Sequence, residues 1–136
     1  MINCVFLQPQ KSMTLIKSIS GFRGTIGGIP DENLTPLDIV KFASAYGAWV
    51  LSKDKGKLVI IGRDARISGK IVSDLVVSTL LSMGLDVINL GLSTTPTVEM
   101  AVKLEEAAGG IILTASHNPK QWNALKLLNN LGEFIS

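Results

Sequence analysis

Short apolar runs alternate with helical stripes along most of the chain, and this alternation constrains the fold more than any other feature. Strands are predicted at residues 14–20, 58–61, 86–90, 110–114 and 124–128, and helices at residues 35–51, 72–83 and 95–107. Several of the strands are continuously apolar, which is typical of strands buried on both faces. Alternating strands and helices favour parallel strands joined by right-handed crossovers. The predicted fold is therefore α/β, a three-layer α/β/α sandwich with a mixed, mostly parallel sheet.

Two helix starts carry capping signals. Thr35 precedes Pro36 and Asp38, which is the pattern of an N-cap residue followed by a proline and an acidic residue in the first turn. Thr95 and Pro96 repeat the threonine–proline pair before the third predicted helix. The last predicted strand follows only a short loop, which favours an antiparallel return into the sheet.

Polar loops follow three of the predicted strands, at residues 62–69, 91–95 and 115–123. In a parallel sheet such loops share one edge, and ligands of open α/β sheets bind there. Residues 21–33 contain four glycines and one proline, so we predict a further loop in that segment.

Composition limits the class of protein. The chain has 136 residues, of which 46% are hydrophobic and 18% charged, which suits one domain with an apolar core. A net charge of +2 indicates neither a nucleic-acid-binding nor a membrane-binding surface. Cys4 is the single cysteine, which favours a reducing compartment and hence the cytoplasm. Residues 1–12 do not have the pattern of a signal peptide, so we assign them to an N-terminal extension of a domain at 13–136.

The segment after the fourth predicted strand is the most informative for chemistry. Ser116 leaves a buried strand at the ligand-binding edge, where a serine can act as a nucleophile or carry a phosphoryl group. His117, the only histidine, is its neighbour, and a hairpin return could bring Lys126 close to it. The alternative is an ordinary capped turn, because serine, asparagine and proline are common turn residues.

Three motifs in this chain resemble those of the α-D-phosphohexomutases, which include phosphoglucomutase, phosphomannomutase/phosphoglucomutase and phosphoglucosamine mutase. In chain order they are Ser20-Gly21-Phe22-Arg23-Gly24, Gly62-Arg63-Asp64-Ala65-Arg66-Ile67-Ser68-Gly69, and Ser116-His117-Asn118-Pro119 followed by Asn123 and Lys126. They look like the family's N-terminal arginine loop, its second-strand loop and its phosphoserine loop. One position departs from the family pattern: Ala124 stands where the family usually has a glycine, which limits positive φ angles there.

The resemblance implies roles for four residues. Ser116 would carry the phosphoryl group, and its phosphate would be this chain's ligand to a bound Mg²⁺, an ion that favours all-oxygen ligation. Three carboxylates from a downstream domain would complete the metal shell. Lys126 would be the general base or acid, Arg23 would stabilise the phosphoryl group or the proton relay, and His117 would donate a hydrogen bond beside the phosphoserine.

The resemblance also implies a supporting group around the substrate and the loop. Its members are Asn118, Asn123, Arg63, Asp64 and Arg66. For the last three a purely structural role is the alternative, because an arginine–aspartate pair often only fixes a loop.

By resemblance, the function is interconversion of a hexose or hexosamine 6-phosphate and 1-phosphate through a bisphosphate. The expected partners are the sugar phosphate and the downstream domains of the parent chain, and this chain alone is expected to be inactive. The alternative is a non-catalytic phosphate- or nucleotide-binding α/β module. Neither the sugar nor the oligomeric state can be predicted from these residues.

Overall fold

The computed structural model describes residues 12–136, so all of the predicted extension except Ser12 lies outside the described residues. The elements are β1 (Ile16–Ser18), β2 (Gly21–Thr25), α1 (Pro36–Ser52), β3 (Leu58–Arg63), α2 (Gly69–Ser82), β4 (Asp86–Leu92), α3 (Thr95–Leu104), β5 (Gly109–Leu113) and β6 (Trp122–Leu128). The predicted strands and helices are all present, with boundaries that move by a few residues.

The six strands form one sheet in the order β1-β2-β6-β5-β3-β4. β3 pairs in parallel with β4 and with β5, as expected for strands joined through helices. β6 returns antiparallel to β5, and β2 and β1 continue the sheet with antiparallel pairings. The mixed sheet and the antiparallel return are confirmed. The parallel pairings are confined to one half of the sheet, β5-β3-β4, which we call the parallel half; β1, β2 and β6 form the antiparallel half.

Helices cover the two faces of the sheet unequally. Alternate side chains of β3 and β5 point to opposite faces, so Ile61 and Ile111 pack into a core with α1 and α2, whereas Ile60 and Ile112 pack against α3. All four side chains are fully or almost fully buried. The predicted three-layer α/β/α sandwich is thereby confirmed, with two helices on one face and α3 on the other.

The capping signals were located correctly to within one residue. Thr35 caps α1: its side chain accepts from the N–H of Asp38, and the Asp38 carboxylate accepts from the N–H of Thr35. At α3 the cap is Thr94 rather than the predicted Thr95, and Thr94 accepts from the N–H of Thr97. Pro96 then occupies the second helical position, where its missing N–H costs nothing because the first turn has no intrahelical acceptors.

The predicted loop at 21–33 is wrong in its first five residues, because Gly21–Thr25 forms β2 and pairs with both β1 and β6. This strand gives little hydrophobic signal because glycines occupy two of its buried positions. A side chain at Gly21 would overlap the carbonyl oxygen of Leu125 on the neighbouring strand, so the close approach of the two backbones requires glycine there. The same residues that allow the pairing are those that suggest a loop.

Candidate active site

Ser116 and Lys126 meet at the carboxyl edge of the sheet. Ser116 follows β5 in an exposed loop, and Lys126 lies on β6 opposite Ile112 of β5. Because β6 returns beside β5, the lysine Nζ reaches the loop and donates a hydrogen bond of 2.8 Å to Ser116 Oγ. The hairpin return expected from the sequence therefore brings the two side chains into direct contact.

Arg23 reaches the same place from β2. Its Cα is the register partner of Ala124 on β6, and Lys126 is two residues further along β6, so both cationic side chains rise from one face of the sheet. Arg23, Lys126, Ser116 and His117 line a common cavity of about 280 Å³. The structure thus brings together the four residues for which catalytic roles are predicted; the roles themselves stay predictions.

The cavity is open because α3 packs mainly on β3 and β5. Of the antiparallel half, only Leu128, the last residue of β6, belongs to the core cluster of α3. On the same face, the antiparallel half has a second hollow of about 370 Å³, lined by Ile16, Gly21 and Phe134 as well as by Arg23 and Lys126. Charged side chains on this face keep contact with water, which a helix packed there would remove. Because no helix covers this face of the antiparallel half, the charged side chains of Arg23 and Lys126 can both lie close to Ser116.

The predicted supporting residues fall into two groups. Asn118 belongs to the serine loop and lines the cavity, and Asp64 and Arg66 contact that loop. The Arg66 guanidinium donates to the carbonyl oxygens of Ser116 and Asn118 at 2.8 Å each, and Asp64 accepts from the hydroxyl of Thr114 at 2.6 Å.

Arg63 and Asn123 do not line the cavity around Ser116. Arg63 donates to the carbonyl oxygen of Asp64. Asn123 is fully buried, and its amide donates 2.9 Å to the hydroxyl of Ser68, the residue before α2. Asn123 therefore links β6 to the start of α2 and contributes to the packing of the domain. It lies on the sheet face opposite Lys126.

Thr114, for which no role is predicted from the sequence, also contacts the serine loop. Its hydroxyl donates to Asp64 and accepts from the backbone N–H of Ser116 at 3.2 Å. A threonine two residues before the residue whose N–H it binds is a common side-chain–backbone turn. That spacing is the signal that could have identified it.

The described residues do not make a magnesium site by themselves. No group of three or more histidine, cysteine, aspartate or glutamate side chains within residues 12–136 could hold a metal ion. Asp64, the carboxylate beside the serine loop, is engaged by Thr114 and by Arg66. A phosphate on Ser116 would fit as an oxygen ligand, but the remaining ligands would have to come from outside these residues.

Comparison with known proteins identifies the family. Residues 17–136 match the family described as phosphoglucomutase/phosphomannomutase, alpha/beta/alpha domain I. This chain belongs to that family. The resemblance drawn from the three sequence motifs is thereby confirmed, and the α/β/α description of domain I agrees with the layers of the structure.

Two relatives show how much of a family member this domain represents. The chain is 43% identical over 114 residues to a phosphoglucomutase/phosphomannomutase of Thermococcus kodakarensis, a match that covers 80% of the chain and 25% of the relative. It is also 43% identical over 108 residues to a phosphoglucosamine mutase of Alkaliphilus metalliredigens, covering 79% of the chain and 24% of the relative. The chain thus spans about a quarter of the length of the curated relatives it matches.

Solved structures give the same picture. A crystal structure from Thermus thermophilus superposes with a TM-score of 0.76 at 34% identity, covering 92% of the chain and 28% of that protein. A phosphoglucomutase/phosphomannomutase family protein from Burkholderia thailandensis gives a TM-score of 0.72 at 23% identity, which supports the fold of domain I alone. In the described part of this domain, no helix is both long and apolar enough to cross a membrane.

Proposed function

We propose that this domain carries the phosphoserine of a phosphohexomutase, which interconverts a hexose or hexosamine 6-phosphate and 1-phosphate through a bisphosphate. The observation that supports the proposal best is the 2.8 Å contact from Lys126 Nζ to Ser116 Oγ, in a cavity that Arg23 also lines. A serine that is to give and take a phosphoryl group needs a proton donor and acceptor at its oxygen, together with positive charge near the phosphate.

In the first half-reaction, the bond between Ser116 Oγ and phosphorus breaks while phosphorus bonds to the free hydroxyl oxygen of the sugar. The serine oxygen gains a proton and the sugar hydroxyl loses one. The Lys126 ammonium can supply the first proton because Nζ already donates to Oγ. The resulting neutral amine can then take up the proton from the sugar.

The second half-reaction reverses these steps at the other phosphate of the bisphosphate. The Lys126 ammonium, restored by the proton of the sugar hydroxyl, gives that proton to the sugar oxygen that leaves. Ser116 Oγ attacks that phosphorus, and the serine proton passes to the resulting neutral Lys126 amine. Bonds and protons balance over the cycle, and the serine is phosphorylated again. The proposal thus gives Lys126 a proton-transfer role in both directions.

Arg23 and His117 complete this part of the proposal. A guanidinium offers planar paired donors that suit phosphate oxygens, and Arg23 rises from the same sheet face as Lys126. The exposed His117 side chain lines the cavity next to the serine and would donate to the phosphate. Mg²⁺ bound to that phosphate, with carboxylates from beyond this chain, would neutralise charge during transfer.

The full product of the gene allows a direct test. We expect incubation with a hexose 1,6-bisphosphate to add roughly 80 Da, the mass of one phosphoryl group, to the protein, and peptide mapping to place it on Ser116. S116A should neither gain this mass nor turn over hexose or hexosamine phosphates. S93A, at the same edge of the sheet, is the matched control and should behave as the wild type.

Two results would contradict the proposal. Near-normal turnover by S116A with the bisphosphate supplied would exclude the phosphoserine route. Phosphate or nucleotide binding by a wild-type protein that never gains the mass would instead indicate a non-catalytic binding module.

A further inference from the structure

One arginine contacts the serine loop through four main-chain carbonyl groups. Nη1 of Arg66 donates to the carbonyl oxygens of Pro119 at 2.7 Å and Trp122 at 3.0 Å. Nη2 donates to those of Ser116 and Asn118 at 2.8 Å each. The loop is therefore wrapped around a single guanidinium that belongs to a different loop, the one after β3.

The third nitrogen of the guanidinium is held from the other side. Nε of Arg66 is buried and lies 3.3 Å from Asp64 Oδ2, a contact that is an ion pair without hydrogen-bond alignment. The other oxygen of the same carboxylate accepts from the backbone N–H of Arg66 at 3.1 Å. Oδ2 also accepts from the Thr114 hydroxyl, which in turn accepts from the N–H of Ser116. The backbone N–H of Ser116, through Thr114, and the backbone carbonyl of Ser116, directly, are thus both linked to the Arg66–Asp64 pair.

The backbone conformation of Ser116 explains why these contacts are needed. Its φ angle is +51°, in the left-handed region that residues with a Cβ rarely adopt. A residue remains in that region when the surrounding contacts determine its conformation. The contact from its carbonyl to Arg66 and the contact from its N–H to Thr114 lie on either side of the strained residue.

The carbonyl contacts also set the direction of the amide groups. In a planar trans peptide the C=O of one residue and the N–H of the next point in opposite directions. Because the Ser116 carbonyl points to Arg66, the N–H of His117 points away from the guanidinium. The positive charge of Arg66 therefore lies on the carbonyl side of the loop, and the N–H of His117 lies on the opposite side.

We propose that Arg66 is a positioning residue, which acts with Asp64 and Thr114 to hold residues 114–122 in the conformation that brings Ser116 Oγ within reach of Lys126. The ordering of the loop stands independently of any activity, whereas its effect on phosphoryl transfer rests on the proposed function. Lysine is not equivalent, because one ammonium on a flexible stem cannot match a rigid planar fork that serves four acceptors.

The test uses the full product of the gene with Arg66 changed to lysine and to glutamine, and with K70Q as the control. Lys70 is an exposed lysine near the same edge and pairs only with Asp74 among the described residues. Hydrogen–deuterium exchange is measured for peptides covering the serine loop and for peptides covering β3 and β5. Phosphoryl loading of Ser116 is followed by intact mass, and turnover is separated into kcat and KM.

We expect R66K and R66Q alike to accelerate exchange in the serine loop while exchange in β3 and β5 stays as in the wild type. Loading and kcat should fall by about 100-fold, as expected for a displacement of about 1 Å at a reacting group, while KM changes little. In R66A, added guanidinium ion should restore part of the loading, and ammonium ion at the same concentration should not. K70Q should match the wild type throughout.

Wild-type loop exchange in both R66K and R66Q would overturn the proposal, whatever the activity. Wild-type loop exchange, phosphoryl loading and kcat in R66K, with only R66Q impaired, would also overturn the proposal. A positive charge would then be sufficient, and the planar guanidinium would not be needed. If the arginine variants do not fold, T114V removes only the link from Asp64 to the Ser116 N–H and should still loosen the loop; unchanged exchange in T114V would then contradict the proposal. A wild type that never loads phosphoryl would refute the proposed function and leave the exchange comparison valid.

Discussion

The parallel and antiparallel halves of the sheet follow different rules. In the parallel half, the central strands β3 and β5 are buried on both faces by helices, and their side chains are almost entirely aliphatic. In the antiparallel half, β1, β2 and β6 leave one face open, and that face carries Arg23 and Lys126. One half contributes mostly to stability, whereas the other holds charged side chains in contact with solvent.

The candidate site lies at the boundary of the two halves. Ser116 follows β5, which belongs to the parallel half, whereas its hydrogen-bond donor Lys126 lies on β6, the strand of the antiparallel half that pairs with β5. The buried strand β5 thus leads into the loop that carries Ser116, whereas the strands with an open face carry the cations Lys126 and Arg23. If this division is correct, substitutions in the two halves should change different measurable properties.

The largest effect is expected from Lys126 on the open face. K126M, in the full product of the gene, removes the proton donor to Ser116 Oγ and should lower kcat by about 10²–10⁴-fold, the usual size of a general acid–base contribution. The free energy of unfolding should change by less than about 0.5 kcal/mol, because a partly exposed side chain with one hydrogen bond is lost. Steady-state kinetics and urea unfolding measure the two quantities.

K70M is the control for removing a lysine near the same edge and should leave kcat unaltered. A K126M protein with normal turnover, or one that loses several kcal/mol of stability, would break the proposed division between the halves.

A matched pair of isoleucines tests the division in terms of stability. Ile111 on β5 is 0% exposed, whereas Ile16 on β1 is 43% exposed. I111A should lower the free energy of unfolding by about 2–5 kcal/mol, since it removes core contacts and leaves a cavity. I16A should cost less than about 1 kcal/mol. Urea unfolding of both variants gives the comparison, and similar losses would show that the antiparallel half is as tightly covered as the parallel half.

Sequence reasoning was most direct for the strands that are buried on both faces, and the one strand that it missed, β2, belongs to the half with an open face. Continuous apolar runs predicted β3 and β5 because both faces of those strands demand aliphatic side chains. β2 was missed because Gly21 is required by the close approach of β6, and Arg23 faces the open side, so neither an apolar run nor an alternation remains. A strand of this kind is specified by its neighbour's backbone rather than by its own hydrophobicity.

The candidate site divides in the same way. Ser116, Lys126 and Arg23 were predicted because they belong to recognisable motifs at strand ends, and the structure brings them together. The four carbonyl contacts of Arg66 could not be predicted, because main-chain acceptors leave no mark on residue type. Asn123 belongs to the same motif, but its residue type does not indicate that its side chain is buried on the other face, where it contacts the Ser68 side chain.

A smaller effect than that of I111A is expected at the boundary itself, where Tyr46 of α1 joins the two halves. The single proton of its buried hydroxyl is shared between the carbonyl oxygens of Gly110 on β5, at 3.1 Å, and of Leu128 on β6, at 2.8 Å. Y46F keeps the ring and removes both bonds, so it should lower the free energy of unfolding by about 1–2 kcal/mol at neutral pH. An unchanged stability would mean that the two halves do not depend on this link.

The pH dependence of the same variant gives a sharper measurement. Burial raises the pKa of the Tyr46 phenol above its ordinary value, so on raising the pH the unfolded chain loses this proton before the folded one does. The contribution of Tyr46 to the free energy of unfolding is therefore fully present below pH of about 10, the ordinary pKa of tyrosine, and declines above it by up to about 1.4 kcal/mol per pH unit.

Because Tyr46 is the only tyrosine in the sequence, Y46F has no tyrosine left to titrate and should lack this component of the decline. We expect the stability difference between the wild type and Y46F, measured by urea unfolding from pH 8 to pH 11, to be constant at first and then to shrink. Tyrosinate absorbance recorded on the folded wild type should appear only at a pH above that of the unfolded chain, and coincident titration curves would show that the hydroxyl is not held at the boundary between the halves.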